Sequence, residues 1–219
     1  MQYTIHLLLF SFAFTTPVIA AEPAPAISLS YGKFSGGYSS SYNITYYRKI
    51  PFGASTAGVN RFRAPQPPAN ITDGVYNTDK SFDSCPHSDK DGSEDCLYLG
   101  VYSRPWAKGA KRPVVVSFYG GGFIRGGATF GIPPAGYPIL NVSDLNDFVF
   151  VYPNYRTNAF GFLPGKAVKE ATDTDLNAGL LDQQFALRWV HANIEEFGGD
   201  PRNVSIWGML IASNICTSY

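Results

Sequence analysis

The chain has 219 residues, of which 45% are hydrophobic and 16% are charged. This length is sufficient for one domain with a buried core, and the charged fraction lies below the globular norm of about 25%. Seventeen Lys and Arg balance seventeen Asp and Glu, and the basic residues are scattered. The composition therefore indicates no nucleic-acid partner and no anionic membrane surface as a partner.

The N-terminal residues have the pattern of a secretory signal peptide. The apolar run IHLLLFSFAF spans Ile5 to Phe14, and small residues precede a cleavage site after Ala20 or Ala21. A membrane helix is the weaker interpretation, because the run is too short to span a bilayer and Pro17 interrupts it. We therefore expect residues 1–20 to form a signal peptide, the mature protein to be secreted, and no integral membrane segment to be present.

Sequons and cysteines agree with export. Four N-x-S/T tripeptides begin at Asn43, Asn70, Asn141 and Asn203. Asn203 opens a predicted buried strand, so the candidates for glycosylation are the first three.

Cys85 and Cys96 enclose the polar loop PHSDKDGSED, and Cys216 is left over. From the residues alone, the first two cysteines form either a disulfide in an oxidising compartment or two free thiols.

The first half of the mature chain predicts mostly extended structure. Alternating residues with Gly and Ser over 27–53 predict short antiparallel strands, and the Pro-rich stretch 61–74 predicts an extended surface segment. DCLYLGVYS predicts another strand. Val114–Phe118 is apolar almost throughout, as expected for a strand buried on both faces, and three glycines, Gly120–Gly122, follow it.

The second half predicts an α/β arrangement. A second buried strand is expected over 147–156, then a helix capped by Asn177. Its expected apolar face consists of Leu180, Leu181, Phe185, Leu187, Val190 and Ile194. Gly198 and Gly199 end the helix, and VSIW predicts a third buried, central strand. This order is typical of a mostly parallel sheet.

Glycines at the carboxyl end of a buried strand leave backbone N–H groups accessible. In α/β hydrolases such a loop donates hydrogen bonds to the oxyanion of an acyl-transfer intermediate. A run of three glycines by itself is equally typical of a flexible turn.

Five ordered segments carry a resemblance to a known family: EDCLYLGVY, VVVSFYGGGF, NYRTNAFGFL, the helix through GGDP, and VSIWG. Together they resemble the type-B carboxylesterase/lipase family, which includes secreted fungal lipases and the cholinesterases. The resemblance covers residues 27–208. It implies a truncated α/β-hydrolase fold over 21–208, the N-terminal half of a mostly parallel central sheet with an antiparallel N-terminal part, followed by an off-family tail over 209–219.

The resemblance also implies roles for particular residues. Gly121 and Gly122 match the oxyanion-hole glycines, and Tyr119 stands where many members have His. Cys85 and Cys96 match the N-terminal disulfide of the family.

Two buried structural ion pairs are implied as well. One joins Arg61 to Glu94, and the other joins Arg156 to Asp200.

The sequence departs from the family after Gly208. Family members continue with G-E-S-A-G, so Leu210 occupies the position of the nucleophilic serine. The acid and the histidine of the triad come later in family members, so no catalytic residue is expected in this chain. Gly208-Met209-Leu210 is compatible with GGT-ATG-CTN codons, which contain a donor-like GTATG, so intron read-through is one hypothesis for the tail.

The resemblance implies a serine carboxylic-ester hydrolase that acts on a small-molecule or lipid ester without a metal or organic cofactor. For this chain the favoured interpretation is an inactive truncation or a mis-spliced gene model. The alternative is a non-catalytic, cholinesterase-like binding protein. A different enzyme that uses the glycine loop is disfavoured, since the sequence has no metal cluster, P-loop or dinucleotide motif.

Overall fold

The computed structural model describes residues 24–88, 92–128 and 147–208. The predicted signal peptide, Asn141 and the tail with Leu210 lie outside these ranges. The strands are β1 Ile27–Leu29, β2 Gly32–Ser35, β3 Gly37–Ser39, β4 Ile44–Pro51, β5 Val75–Asn77, β6 Tyr98–Ser103, β7 Arg112–Phe118, β8 Val149–Pro153 and β9 Gly199–Gly208. The α-helices are α1 Asn158–Phe162, α2 Lys166–Glu170 and α3 Ala178–Asn193.

The main sheet has six strands in the order β3-β4-β6-β8-β7-β9. Antiparallel pairing joins β3, β4, β6 and β8, whereas β8, β7 and β9 are parallel. Parallel strands require a crossover connection. The segment that contains α1–α3 supplies the one that leads from β8, past β7, to β9. The predicted α/β fold, with an antiparallel part that precedes parallel strands, is confirmed.

The two central strands are buried on both faces. Val116 and Val151 belong to the core cluster that also contains Trp189 of α3 and residues of the small sheet β1-β2-β5. Val115 and Phe150, one residue away along each strand, belong to the cluster on the opposite face. This alternation follows the period-2 geometry of a strand, and it explains why both strands are apolar almost throughout.

Strand β9 differs from its prediction as a buried central strand. Within the described residues it pairs with β7 alone, at the end of the strand order. Gly199 is buried, but exposed residues alternate with partly buried ones from Asn203 onward, and Trp207 is 46% exposed. An end position in a sheet leaves one face or edge less covered, which accounts for the lower burial.

Helix α3 also presents an unexpected face. Asn177 occupies the N-cap position as predicted, but it has a left-handed conformation and its side chain makes no capping hydrogen bond. The buried positions carry small and polar residues together with Trp189 and Val190, and they include Asp182 and Gln183, whereas Leu180 is 37% exposed. None of the helices in the described ranges has the length and apolar character needed to cross a membrane.

Cys85 and Cys96 are joined by a disulfide, and both residues are buried. Beside it, Arg61 donates two hydrogen bonds to Glu94, at 2.6 Å from Nε to Oε2 and 2.7 Å from Nη2 to Oε1. The pair forms as predicted but is not buried, since 44% of the Arg61 side chain and 24% of the Glu94 side chain are exposed. The pair therefore orients the N-terminal segment but contributes little to the free energy of unfolding.

The predicted pairing of Arg156 with Asp200 is wrong. Arg156 Nε and Nη2 donate to the Asp182 carboxylate at 2.8 and 2.7 Å, and both side chains are almost fully buried. Asp200 instead accepts hydrogen bonds from Arg202, which lower the pKa of Asp200. The reason is topological: Arg156 follows the carboxyl end of β8, whereas Asp200 lies at the amino end of β9, which runs in the same direction.

We predict that Asp182→Asn lowers the free energy of unfolding by about 3–5 kcal/mol, because it leaves the buried Arg156 guanidinium without its counter-charge. Asp200→Asn is the matched control and should hardly move the transition, since 80% of its partner Arg202 is exposed. Urea unfolding followed by far-UV circular dichroism measures both. An Asp200→Asn effect as large as that of Asp182→Asn would contradict the assignment.

Candidate oxyanion site

The segment after β7 is a turn in which three consecutive residues have positive φ. The φ angles are 131° at Gly121, 65° at Gly122 and 64° at Phe123. A Cβ on Gly121 would lie 2.1 Å from the Arg125 carbonyl oxygen, so this position requires glycine. A bulky residue such as Phe123 with positive φ is a strained conformation, which persists only where surrounding contacts enforce it.

Those contacts come from two neighbouring segments. The N–H of Asn158, at the start of α1, donates to the Phe123 carbonyl at 2.6 Å. The N–H of Ser88, in the disulfide loop, donates to the Ile124 carbonyl at 3.1 Å. The rings of Phe123 and Phe162 lie 4.6 Å apart. The turn is therefore held from both sides by main-chain hydrogen bonds.

Gly121 and Gly122 carry the N–H groups of interest. Within the described part of the chain, neither N–H donates a hydrogen bond to a protein acceptor. Among the described residues, a Cβ built on Gly122 meets nothing within 4 Å, so these residues leave the space beside Gly122 open. Fixed N–H donors next to open space are the arrangement that stabilises developing negative charge on a substrate oxygen.

The carboxyl end of β9 reaches the same edge of the sheet. In the parallel register of β7 and β9, Ser117 is opposite Trp207 and Phe118 is opposite Gly208. The last described residue therefore lies beside the strand end from which the glycine turn begins. Leu210 follows Gly208 by two positions in the sequence.

Asn154 links several segments at this edge of the sheet, and the sequence did not predict this role. Its fully buried side chain accepts a hydrogen bond from the Ala128 N–H at 2.9 Å and donates to the carbonyls of Asp83 and Cys96, each at 2.9 Å. It thus joins the end of the glycine segment to both flanks of the disulfide loop. The sequence feature that could have identified Asn154 is a polar residue directly after a buried strand, because functional sites in α/β sheets lie at the carboxyl ends of the strands.

A cavity of about 560 Å³ adjoins the turn through Asn158. Its lining residues are Pro86, His87, Gly92, Ser93, Glu94, Asn158 and Phe160. The volume lies within the range of small-molecule sites. The Glu94 carboxylate in this wall is already paired with Arg61, so the lining is polar without a free anion from that residue.

We predict different costs for alanine at the two glycines. Gly121→Ala should lower the free energy of unfolding by roughly 3 kcal/mol, because the Cβ meets main chain at a φ that disfavours L-residues. Gly122→Ala should cost about 1–2 kcal/mol, the penalty of left-handed φ without a clash. Urea unfolding of the two variants tests this, and equal costs would argue against the described turn.

Comparisons with known proteins agree with this geometry. The profile of the carboxylesterase family matches residues 23–210. Esterase FE4 of Myzus persicae is 34% identical over 225 residues, which cover 94% of this chain and 36% of FE4. Secreted lipase 1 of Botryotinia fuckeliana is 31% identical over 217 residues, which cover 86% of this chain and 37% of the lipase. The crystal structure of Aspergillus niger EstA matches with a TM-score of 0.76 at 34% identity, over 87% of this chain and 36% of EstA.

The chain thus spans a little over a third of the length of these relatives. The matched residues 23–210 include the disulfide loop, the glycine turn and β9. With most of its sequence inside the matched region, the chain belongs to the carboxylesterase family.

Proposed function

We propose that this chain forms the oxyanion-binding part of a serine-type carboxylic-ester hydrolase. The two N–H groups at Gly121 and Gly122 are donors without acceptors in the described residues, and they lie at the carboxyl end of a buried parallel strand. Membership in the carboxylesterase family supports ester chemistry at this edge. The names of the relatives, esterases and a lipase, favour small-molecule or lipid esters as substrates.

The observation that carries this proposal is the register that sets Gly208 opposite Phe118. It brings the start of the glycine turn and the carboxyl end of β9 to one edge of the sheet. In an α/β hydrolase the nucleophile occupies a sharp turn after such a strand. In this register, the strand that leads to the glycine turn ends beside the end of β9, and a nucleophile is expected in the sequence shortly after β9.

The proposed reaction is a two-step acyl transfer in a family protein that has serine at the position of Leu210. The serine oxygen bonds to the ester carbonyl carbon while a histidine accepts the hydroxyl proton. The carbonyl oxygen becomes an oxyanion, which accepts hydrogen bonds from Gly121 and Gly122. The C–O bond to the alcohol then breaks, the alcohol leaves with the proton, and water hydrolyses the acyl-enzyme.

The present sequence does not supply this nucleophile. Leu210 has an alkyl side chain without a lone pair or an ionisable proton. We therefore propose that the chain as printed is catalytically inactive. The same residue favours a second candidate function, a non-catalytic protein that retains the binding edge of an esterase.

We predict that the purified chain does not hydrolyse p-nitrophenyl butyrate above the buffer rate, because position 210 carries no nucleophile. Organophosphate-sensitive turnover by this chain would contradict the prediction. Sequencing transcripts across the codons for Trp207–Met209 separates the two candidates. A transcript that encodes an E-S-A-G-like segment after Gly208, and whose protein hydrolyses the ester, supports the hydrolase. The absence of such a transcript favours the binding protein.

We further propose that the protein is exported and glycosylated. The candidate asparagines Asn43 and Asn70 are exposed in the structure, as is Asn203. In a secretory eukaryotic host we expect the protein in the medium, with a mobility that increases after endoglycosidase treatment. Asn43→Gln and Asn70→Gln should each remove one glycan step on a gel. Retention inside the cell without any mobility shift would contradict export.

A further inference from the structure

Tyr119, the residue immediately before the three glycines, forms a closed pair with Tyr155. The two rings are stacked, with centroids 4.2 Å apart and an interplanar angle of 15°. The Tyr119 hydroxyl donates to the Tyr155 carbonyl and accepts from the Tyr155 N–H at 3.2 Å. The Tyr155 hydroxyl donates to the Tyr119 carbonyl at 2.7 Å. Each tyrosine thus fixes the main chain of the other.

The ring of Tyr119 also contacts the far end of the glycine segment. A Cβ built on Gly126 would lie 2.7 Å from Tyr119 Cδ2 and 2.5 Å from the Gly120 carbonyl oxygen. The chain therefore returns to the ring of Tyr119 at a distance that excludes any side chain on Gly126. The segment from Tyr119 to Gly126 thus closes on the side chain of its own first residue.

This arrangement constrains the two unpaired donors. The hydrogen bond to the Tyr119 carbonyl fixes the peptide plane between Tyr119 and Gly120, from which the turn starts. A glycine turn without such a restraint has many accessible conformations, and its N–H groups would rotate toward any nearby acceptor. Burial raises the pKa of both tyrosines, so their hydroxyls remain protonated donors at neutral pH.

We propose that Tyr119 and Tyr155 are positioning residues, which hold the N–H groups of Gly121 and Gly122 in the orientation that binds an oxyanion. The proposal rests on the proposed function for the identity of the bound group. The holding itself is a property of the described residues. A restraint of this kind provides preorganised donors, whose orientation costs nothing when charge develops.

Tyr31 offers a matched control. Its hydroxyl also makes two hydrogen bonds, donating to the Pro51 carbonyl at 2.8 Å and accepting from Trp189 Nε1 at 2.9 Å. It belongs to the core on the α3 side of the sheet and is 9% exposed. Tyr31→Phe therefore removes the same number of buried hydrogen bonds as Tyr119→Phe, but away from the glycine turn.

The experiment compares backbone order parameters of Gly121 and Gly122 in glycine-selective 15N-labelled chain. The two cross-peaks are assigned by their loss in Gly121→Ala and Gly122→Ala. In the parent and in Tyr31→Phe we expect order parameters near the rigid value of about 0.85. In Tyr119→Phe we expect both to fall toward about 0.6, while glycines elsewhere keep their values.

Tyr155→Phe is the second variant, because it keeps the ring stack and both bonds of the Tyr119 hydroxyl and removes only the bond to the Tyr119 carbonyl. It should lower the same two order parameters at least as much, because the lost bond is the one that fixes the peptide plane between Tyr119 and Gly120, and it provides the test if Tyr119→Phe does not fold. Unchanged values at Gly121 and Gly122 in the folded variants would overturn the proposal, as would equal loosening in Tyr31→Phe. The readout is independent of ester hydrolysis, so failure of the proposed function would leave it interpretable.

Discussion

Three consecutive residues after β8, Asn154–Arg156, hold this end of the sheet together. The Asn154 side chain links the Ala128 main chain to the flanks of the disulfide loop. The Tyr155 hydroxyl donates a hydrogen bond to the Tyr119 carbonyl, and Arg156 forms a buried ion pair with Asp182 of α3. Arg156 also donates to the Arg63 carbonyl at 2.6 Å, which ties down the N-terminal extended segment. The disulfide loop, Tyr119, α3 and the N-terminal extended segment are thus all anchored to one short, buried stretch of chain.

This anchoring explains how a strained turn with unpaired donors persists. Buried or strained main chain that leaves N–H groups without acceptors is unfavourable, and a free glycine loop would relax to pair them. Here relaxation would have to break the Asn158–Phe123 and Ser88–Ile124 hydrogen bonds or separate the stacked tyrosines. The cost of the turn is therefore offset by contacts with elements whose own positions are fixed in the core.

The sequence was sufficient to predict the two central strands and insufficient for the side-chain partners. Apolar runs within Val114–Phe118 and 147–156 predicted β7 and β8, since strands buried on both faces need no alternation. Apolar spacing misplaced the face of α3, because its buried side contains Asp182 to neutralise Arg156. The parallel direction of β8 and β9 excludes an Arg156–Asp200 pair, because Arg156 follows the carboxyl end of one strand and Asp200 lies at the amino end of the other. The contacts of Asn154 and Tyr119 join residues from distant parts of the sequence, so they follow only from the assembled sheet.

The proposed oxyanion donors and the proposed nucleophile position belong to separate parts of the sequence. The described contacts that hold the glycine turn come from the disulfide loop, α1 and the segment after β8, and all of these precede β9 in the sequence. None of these described contacts involves a residue that follows β9. A well-formed glycine turn therefore carries no information about whether a given chain turns over substrate. Under the proposed mechanism, that question depends on position 210, where this sequence has leucine.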